Sequence, residues 1–380
     1  MLIKNLFLLL IAALTVIFFV FGGEEVKSEE TQPEAVYVYA GEGGVEVSAV
    51  SAALLDADGG RLLFAHNADQ SLPMASTTKI MTAIVVLENA VLDAEYRVTK
   101  EATNIEGSSL YLCEGEVFTV EELLYGLMLE SGNDAAVALA IATAGDVESF
   151  VELMNRKCAE LGLRHTHFAN PNGLTAEGHY TTANELARIT AYALTVPKFT
   201  EICSTQYICL ESDGHITRYL RNHNRLLTSY EGMFGVKTGY TMAAGRCLVT
   251  AAERNGMRLI AVTLNDRNDW ADHRKMLDYG FSAYKREIVC IMGETVRVKV
   301  NGGKSETVLG YIDKTVGYCI PTDGTVTRVF DVKEINAPVE KGEVIGKLKI
   351  YGDGALIGEV PVKAASAVEK KGGSFKLWKS

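Results

Sequence analysis

The chain has 380 residues, of which 48% are hydrophobic and 22% are charged, and its formal net charge is −11. This length suggests two or three domains, with enough apolar residues to form a core. The acidic balance argues against the basic surface with which a protein binds nucleic-acid phosphates, so we expect no nucleic-acid partner.

An apolar segment lies close to the N-terminus. It follows Lys4 and runs from Leu6 to Phe21, interrupted only by Thr15. It is shorter than the roughly 18 residues of a transmembrane helix, so we predict that residues 1–22 are a secretory signal peptide. A short uncleaved membrane anchor is the alternative. Either interpretation places the rest of the chain outside the cytoplasm, and the acidic stretch 23–36 is predicted to be a linker.

The first regular elements are two apolar runs around residues 58–60, Asp-Gly-Gly, which predict a β-hairpin. Pro73 then breaks the chain, and apolar residues at helical spacing predict a helix from Thr77 onward. Thr119 and Glu122 form a predicted capping box at the start of the next helix.

That helix is interrupted at residues 131–133, and a second helix is predicted from Asp134 to Gly145. A third is predicted over about 147–161, where Gly162 ends it. Thr182 and Glu185 predict a capping box for a fourth. Strands then return as a hairpin about Asn255 and Gly256.

Strands therefore flank a helical middle, which predicts one α+β domain over about residues 37–283 whose sheet joins N-terminal and C-terminal strands. From about 284 to 364 apolar and polar residues alternate between glycines, and we predict a small all-β domain. The basic tail, 365–380, is predicted to be a solvated disordered end, with contact to an anionic membrane surface as the alternative.

The seven cysteines show no spacing typical of a metal site, and we expect most of them to be small buried side chains. Cys203 and Cys209 are close in sequence and are the candidates for a disulfide. The full set is Cys113, Cys158, Cys203, Cys209, Cys247, Cys290 and Cys319.

A serine and a lysine one helical turn apart, Ser76 and Lys79, form the first candidate site. Lysine activates a serine hydroxyl only when neutral, which requires its pKa to fall from about 10.4 to roughly 7–8, at a cost of about 4 kcal/mol. A helix N-terminus supplies only about 0.3–2 kcal/mol. The site therefore also requires burial and a second cation.

The chain contains a second Ser-x-x-Lys, at Ser282 and Lys285. No helical pattern follows it and no cationic partner is near it, so it lacks the context that the first one has. A lone Ser-x-x-Lys is a weak signal, and its ordinary interpretation is an N-cap serine with a solvated lysine.

Two further motifs supply what the first one lacks. Ser131 could relay a proton and Asn133 could bind a lysine and a substrate amide, although Ser-Gly-Asn is also an ordinary helix connection. Lys237 is the candidate second cation; Gly239 allows close approach of a ligand, and the Thr238 hydroxyl could hold a carboxylate. The alternative is a lysine at a strand end that pairs with any acid.

Together, in this order and in these structural contexts, the three motifs are typical of penicillin-binding proteins and serine β-lactamases. The sequence most resembles the low-molecular-mass penicillin-binding proteins, which are serine-type D-Ala-D-Ala carboxypeptidases of the peptidase S11 kind. The stretches that carry the resemblance are "PMASTTKIMTA", "ESGNDAA", "NPNGL" and "GVKTGYTMAAGRCLV". It implies an antiparallel sheet with helices on its faces and a helical subdomain, followed by a small all-β domain.

The resemblance also implies a mechanism without a metal or cofactor. Ser76 would attack the carbonyl between the two terminal D-alanines of a peptidoglycan stem peptide. Lys79 would be its base, and Ser131 would pass the proton to the leaving amine. β-Lactams would acylate Ser76 and leave slowly.

For substrate binding, the resemblance implies that Lys237 and Thr238 position the terminal carboxylate beside Gly239. The backbone N–H groups of Ser76 and Tyr240 would form the oxyanion hole. Asn133 would bind the substrate amide.

The chain departs from the family in two places. His223 takes a position at which some members have an arginine, with Arg221 and Arg225 beside it. The end "FKLWKS" is too short for the amphipathic helix with which members commonly bind membranes.

Three alternatives stay open at this point. A serine β-lactamase needs a glutamate that activates water, and Glu185 is a candidate, although we expect it to complete its capping box. A D,D-endopeptidase uses the same residues. A non-catalytic wall-binding or sensor protein on the same fold would not need all the motif residues intact.

Overall fold

The protein is described by a computed structural model that covers residues 45–211 and 216–372. The predicted signal peptide or anchor, the linker and the last part of the tail, 373–380, lie outside the described residues. Within the described ranges, no helix is long and apolar enough to cross a membrane.

The larger half of the chain is built on one antiparallel sheet of five strands, in the order β2-β1-β9-β8-β7. Two short hairpins, β3–β4 and β5–β6, stand apart from it. The strands are β1 (Ser51–Asp56), β2 (Leu62–His66), β3 (Glu95–Arg97), β4 (Val117–Thr119), β5 (Tyr207–Glu211), β6 (Thr217–Arg221), β7 (Met233–Thr241), β8 (Gly245–Arg254) and β9 (Met257–Leu264).

Helices cover both faces of this sheet. Helix α5 packs on β1 and β9 from one side and α7 packs on β8 and β9 from the other, while α1 to α4 form a helical layer beside α5. The helices are α1 (Lys79–Asn89), α2 (Val120–Leu129), α3 (Asn133–Ala144), α4 (Val147–Glu160), α5 (Ala183–Ala193), α6 (Pro197–Ser204) and α7 (Asp269–Ala283).

Strand β1 explains why the sheet must be covered twice, because all six of its residues are buried. Successive side chains of a strand point to opposite faces. Ala53 and Leu55 therefore join the core beneath the helical layer, whereas Ala52 and Leu54 join the core beneath α7.

The C-terminal half contains only strands. Six form a sheet in the order β14-β16-β17-β12-β11-β15, and β10 pairs with β13. The strands are β10 (Tyr284–Cys290), β11 (Thr295–Asn301), β12 (Thr307–Tyr311), β13 (Val316–Pro321), β14 (Val326–Asp331), β15 (Ile335–Asn336), β16 (Val344–Gly352) and β17 (Ala355–Ala364).

A buried carboxylate joins the two halves. Asp56, at the end of β1, accepts a hydrogen bond from the backbone N–H of Cys319 on β13 at 2.9 Å. Arg61 donates to the Cys319 carbonyl at 3.1 Å. Burial raises the pKa of the Asp56 carboxyl, and the hydrogen bond from Cys319 opposes this rise and offsets part of the cost of burying the carboxylate.

The α+β prediction is confirmed, since β1 pairs with β9 across more than 200 residues of sequence. Both predicted hairpins are present, as β1–β2 and β8–β9. All five predicted helices are present, as α1 to α5. The capping box of Thr119 and Glu122 is present.

Two expectations are wrong. The candidate disulfide is absent, since Cys203 is buried against the backbone of β7 whereas Cys209 lies on the solvent side of β5, and all seven cysteines are free. The predicted disordered tail is wrong for residues 365–372, since Val368 is buried and pairs with Val339. Two helices, α6 and α7, were not predicted from the sequence.

We predict that Gly280→Ala destabilises the protein. A Cβ atom there would lie 2.5 Å from Leu259 Cδ1 and 2.8 Å from Leu54 Cδ2, and both leucines are fully buried. Overpacking of this kind costs about 1–3 kcal/mol. Denaturant unfolding should show this loss for Gly280→Ala and almost none for Ser282→Ala, an exposed position on the same helix. Equal stability of the two variants would contradict the packing of α7.

Candidate active site

Ser76 lies in a short 3₁₀ turn, Ala75–Thr78, that leads directly into α1. Ala75 has a left-handed backbone, with φ +49°. Non-glycine residues rarely adopt this conformation, and it persists only where the surroundings hold it in place. The Thr77 and Thr78 hydroxyls donate to the carbonyls of Met74 and Ala75, at 2.6 and 2.8 Å, and fix the turn.

Two glycines let the neighbouring backbone approach this turn. A Cβ atom on Gly173 would lie 2.0 Å from the Ala75 carbonyl oxygen and 2.9 Å from the Ser76 nitrogen. A Cβ atom on Gly239 of β7 would lie 3.0 Å from the Ser76 nitrogen. The Ser76 turn is therefore held between the 170–173 segment and strand β7.

The Lys79 amine is the centre of the site. It is fully buried and lies 3.0 Å from the Ser76 Oγ, 2.6 Å from the Asn133 Oδ1 and 2.5 Å from the Asn172 carbonyl oxygen. In its neutral form the amine donates to the two carbonyl oxygens and accepts from the Ser76 hydroxyl. Burial, and then the positive charge of Lys237, lower its pKa well below the usual lysine value. The lowered pKa and the contact with Ser76 are the properties that a base for this hydroxyl needs.

Asp134 is the acid whose charge opposes this shift. Its carboxylate accepts from the backbone N–H groups of Leu110 and Leu112, at 3.0 and 3.1 Å, and from the Ser109 hydroxyl at 2.6 Å. It raises the pKa of Lys79, but by less than burial and Lys237 lower it. The hydrogen bonds of Asp134 orient its carboxylate toward the 109–112 loop instead of toward Lys79.

The Ser131–Asn133 motif joins α2 to α3, as predicted. Ser131 has a left-handed backbone, φ +63°, and its buried hydroxyl has no hydrogen-bond partner among the described residues. Asn133 is the first residue of α3, and its amide nitrogen donates to the Glu106 carbonyl at 2.6 Å. A Cβ atom on Gly132 would lie 2.9 Å from the Asp134 carboxylate, which explains why a glycine stands between Ser131 and Asn133.

Strand β7 carries the third motif. Lys237 is buried, and burial lowers its pKa to about 7. Its amine donates to the Thr238 carbonyl at 3.2 Å. Thr238 is half-buried and Tyr240 is exposed. The charge of Lys237 lowers the pKa of Lys79, which indicates that the first and third motifs are close in space, although 158 positions separate these lysines in the chain.

Residues 170–179 contribute a support that the sequence reasoning did not assign. Asn172 binds Lys79 through its carbonyl, and the Pro171 carbonyl accepts from Thr82 at 2.6 Å. The His179 Nε2 lies 2.8 Å from the Thr78 hydroxyl, and burial lowers the pKa of this imidazole to about 4. Neutral His179 therefore anchors the Ser76 turn. The Asn-Pro and Asn-Gly pairs signalled a turn here but not its partner.

The second Ser-x-x-Lys is not a site. Ser282 lies near the end of α7, where its hydroxyl donates to the Tyr279 carbonyl at 3.1 Å, and Lys285 lies on β10. Both side chains are exposed. The burial that the proposed base requires is therefore absent at Lys285.

Glu185 does not reciprocate in the predicted capping box. Thr182 caps α5 by accepting from the Glu185 N–H at 3.0 Å. The Glu185 carboxylate instead accepts from the N–H groups of Arg164 and His165 and from the Thr166 hydroxyl, at 2.8, 3.0 and 2.5 Å. Because these hydrogen bonds hold the carboxylate against the 164–166 loop, Glu185 is a poor candidate for activating water.

The site combines a serine, a buried amine of lowered pKa in contact with it, an unbonded hydroxyl and a second buried lysine. This arrangement suits nucleophilic attack on a carbonyl by way of an acyl-enzyme. Across residues 45–211 and 216–372 there is no cluster of three or more His, Cys, Asp or Glu side chains that could hold a metal ion.

Comparison with known proteins gives the same chemistry. The sequence model described as D-alanyl-D-alanine carboxypeptidase matches residues 37–268, and that described as penicillin-binding protein 5, C-terminal domain, matches 289–370. The D-alanyl-D-alanine carboxypeptidase DacF of Bacillus subtilis is 36% identical over 339 residues, which cover 85% of this chain and 87% of DacF. DacA of Escherichia coli K12 is 32% identical, covering 83% of each.

Solved structures are similar as well. Penicillin-binding protein 5 from Haemophilus influenzae aligns with a TM-score of 0.77 at 28% identity, covering 87% of this chain and 100% of that one. The Streptomyces K15 DD-transpeptidase aligns with a TM-score of 0.60 at 34% identity, covering 63% of this chain and 99% of that one.

We predict that Gly173→Ala slows the reaction of Ser76 with a labelled penicillin about a hundredfold, because the added methyl group displaces the Ser76 turn. Gly178→Ala is the matched control. Gly178 also has a left-handed backbone, φ +75°, but a Cβ atom there meets nothing closer than 3.6 Å. Stopped-flow or gel-based labelling rates should separate the two variants, and equal rates would show that the turn does not depend on this contact.

Proposed function

The protein belongs to the D-alanyl-D-alanine carboxypeptidase family of serine peptidases, and on this premise we propose how its residues carry out the reaction. The enzyme removes the terminal D-alanine from peptidoglycan stem peptides through an acyl-enzyme on Ser76. The observation that carries the proposal is the Lys79 amine, which is buried, has a pKa lowered well below the usual lysine value, and lies 3.0 Å from the Ser76 hydroxyl.

In the acylation step, Lys79 takes the proton of Ser76 while the Oγ attacks the carbonyl carbon between the two D-alanines. Negative charge develops on the carbonyl oxygen. We assign its stabilisation to the N–H groups of Ser76 and Tyr240, each worth about 2.7–4 kcal/mol if it behaves as a typical oxyanion donor. The close approach of Gly239 to the Ser76 turn supports this assignment.

Ser131 then passes a proton to the leaving amine. Its hydroxyl is buried and free of hydrogen bonds to the described residues, so no existing bond has to break when substrate arrives. The left-handed backbone of Ser131 supports this role, since strain of this kind clusters at functional sites. Asn133, which already binds Lys79, binds the substrate amide.

Lys237 and Thr238 bind the terminal carboxylate. A buried amine with a pKa of about 7 is only partly charged near neutrality. An incoming carboxylate favours its charged form, and the charged form in turn keeps Lys79 neutral. Substrate binding and activation of the base are thus coupled.

Water hydrolyses the acyl-enzyme, and β-lactams acylate Ser76 in place of the peptide. The β-lactam is released slowly because Glu185 does not activate water. Its carboxylate is hydrogen-bonded to residues 164–166. This favours the carboxypeptidase over the β-lactamase alternative.

We further propose that residues 37–283 form the catalytic domain and 284–364 a separate β domain. The end of α7 at Ala283 and the distinct core of the C-terminal strands support that boundary. We also propose that the N-terminal segment directs export and that the enzyme acts at the cell wall, in association with the membrane surface. The apolar run 6–21 supports this proposal.

The direct test is covalent labelling. Labelled penicillin should attach to wild-type protein and to Ser282→Ala, and Ser76→Ala should abolish both labelling and release of D-alanine from a stem pentapeptide. Peptide mass mapping locates the adduct. Labelling at Ser282, or rapid turnover of nitrocefin, would overturn the assignment.

A second prediction concerns pH. Because the charge of Lys237 lowers the pKa of Lys79, Lys237→Met should raise that pKa. More alkaline conditions are then needed for neutral Lys79, and the low-pH limb of the penicillin acylation rate moves to higher pH. Acylation rates measured from pH 5 to 10 give the midpoint pH of this limb, independently of the overall loss of rate that the substitution causes. An unmoved limb would contradict the coupling of the two lysines.

A further inference from the structure

A chain of hydrogen bonds runs through two buried side chains to the backbone beside Ser76. The Ala169 N–H lies 3.0 Å from the His179 Nδ1, and the His179 Nε2 lies 2.8 Å from the Thr78 Oγ1. The Thr78 Oγ1 in turn lies 2.8 Å from the Ala75 carbonyl oxygen. We call this set of groups the His179 relay. The catalytic scheme above uses neither of its side chains.

The first donor fixes the direction of every hydrogen bond in the His179 relay. A backbone N–H can only donate, so the His179 Nδ1 that faces Ala169 is an acceptor and has no proton. Burial lowers the pKa of this imidazole to about 4, so near neutrality it has one proton, which is on Nε2. Nε2 therefore donates to the Thr78 Oγ1. The single proton of that hydroxyl is then donated to the Ala75 carbonyl.

The Ala75 carbonyl belongs to the same peptide group as the Ser76 N–H. A peptide group is planar and trans, so its N–H points away from its C=O. A Cβ atom on Gly173 would lie 2.0 Å from the Ala75 oxygen, whereas one on Gly239 of β7 would lie 3.0 Å from the Ser76 nitrogen. The hydrogen bond from Thr78 to the carbonyl therefore also holds the Ser76 N–H in its direction, on the side of β7.

This hydrogen bond also affects how strongly the Ser76 N–H donates. Hydrogen bonds in a chain polarise one another, and a carbonyl that accepts a bond makes the N–H of the same peptide a stronger donor. The effect is larger where water is excluded, and both Thr78 and His179 are buried. Ala75 has φ +49°, a conformation that its surroundings must hold in place.

The imidazole end of the His179 relay is itself held by backbone hydrogen bonds on both sides of His179. His167 and Tyr180 exchange two such bonds, at 2.9 and 3.1 Å, and Leu72 and Thr181 exchange two more, at 2.8 and 3.0 Å. The second pair ties the relay to the chain just before the Ser76 turn. His179 is therefore a fixed point from which the position of the Ser76 N–H is set.

We propose that His179 is a positioning residue for the oxyanion hole and that it acts through Thr78 on the Ser76 N–H. Neither side chain touches the substrate. The proposal rests on the proposed function, which assigns this N–H to the oxyanion, and it adds two residues to the machinery of the reaction. Loss of the relay should weaken the hydrogen bond to the oxyanion.

The first measurement is the rate at which a labelled penicillin acylates Ser76 in the full chain. Thr78→Val keeps the shape of the side chain and removes its hydroxyl. It should slow acylation about tenfold, which is less than the roughly hundredfold or greater effect of losing a whole oxyanion donor. Thr78→Ser keeps the hydroxyl and should restore most of the rate. Thr190→Val is the matched control, because Thr190 is equally buried and donates to the Leu186 carbonyl at 2.8 Å, outside the relay.

The second measurement is the infrared carbonyl stretch of the acyl-enzyme, which a merely structural role would not move. A slowly released β-lactam leaves an ester on Ser76, and the stretch of its carbonyl falls as the oxyanion hole binds it more strongly. Carbon-13 in the lactam carbonyl identifies the band. The stretch should move to higher wavenumber in Thr78→Val and in His179→Met. It should keep its wild-type position in Thr78→Ser and in Thr190→Val.

A double variant tests whether His179 acts through Thr78. His179→Met should slow acylation by about the same factor as Thr78→Val, and the variant with both substitutions should be no slower than either one. Residues that act as one unit show this lack of additivity. Two losses that multiply would overturn the relay, because the two side chains would then support the turn separately.

An unchanged carbonyl stretch in both Thr78→Val and His179→Met also overturns the proposal, whatever the rates show. Penicillin labelling of Ser76 and release of D-alanine from a stem pentapeptide are measured on the same wild-type samples. If these succeed while the stretch does not respond, only the His179 relay fails. If they fail, the proposed function fails and the relay with it.

Discussion

One constraint governs the site: a lysine amine must be held without its proton, in contact with a serine. Complete burial and the charge of Lys237 both lower the pKa of Lys79 toward this state. A helix N-terminus alone supplies too little of the roughly 4 kcal/mol required. The amine's three hydrogen-bond partners, Ser76, Asn133 and Asn172, then hold it in place.

The rest of the fold serves this constraint by bringing distant segments together. Gly173 and Gly239 let two backbones close on the Ser76 turn, and side chains larger than hydrogen would hold them apart. Ala75 and Ser131 adopt left-handed conformations that cost stability locally. The packed core beneath the helical layer offsets that cost.

The sequence predicted the elements well, because their signals are local. Periodic apolar residues gave α1 to α5, and Gly-containing turns gave both hairpins of the main sheet. The need for a second cation, argued from the pKa of one lysine, pointed to Lys237, and the structure places it where it acts on Lys79.

What the sequence could not give depends on long-range contacts. Asn172 and His179 support the Ser76 turn from about a hundred positions away, and no local pattern marks their partners. Glu185 completes a motif in sequence but binds a loop in space. Cys203 and Cys209 are close in the chain, yet Cys203 is buried and Cys209 is exposed. Burial, which decided each case, is a property of the whole fold.

The most direct test of the account is to titrate Lys79 itself. Carbon-13 NMR of the lysine side chains, with Lys79→Arg to assign the signal, reports the charge of this amine in the free protein. The account predicts that Lys79 is neutral at neutral pH and gains its proton only in acid. A signal that titrates in the ordinary lysine range, near roughly 10.4, would contradict it.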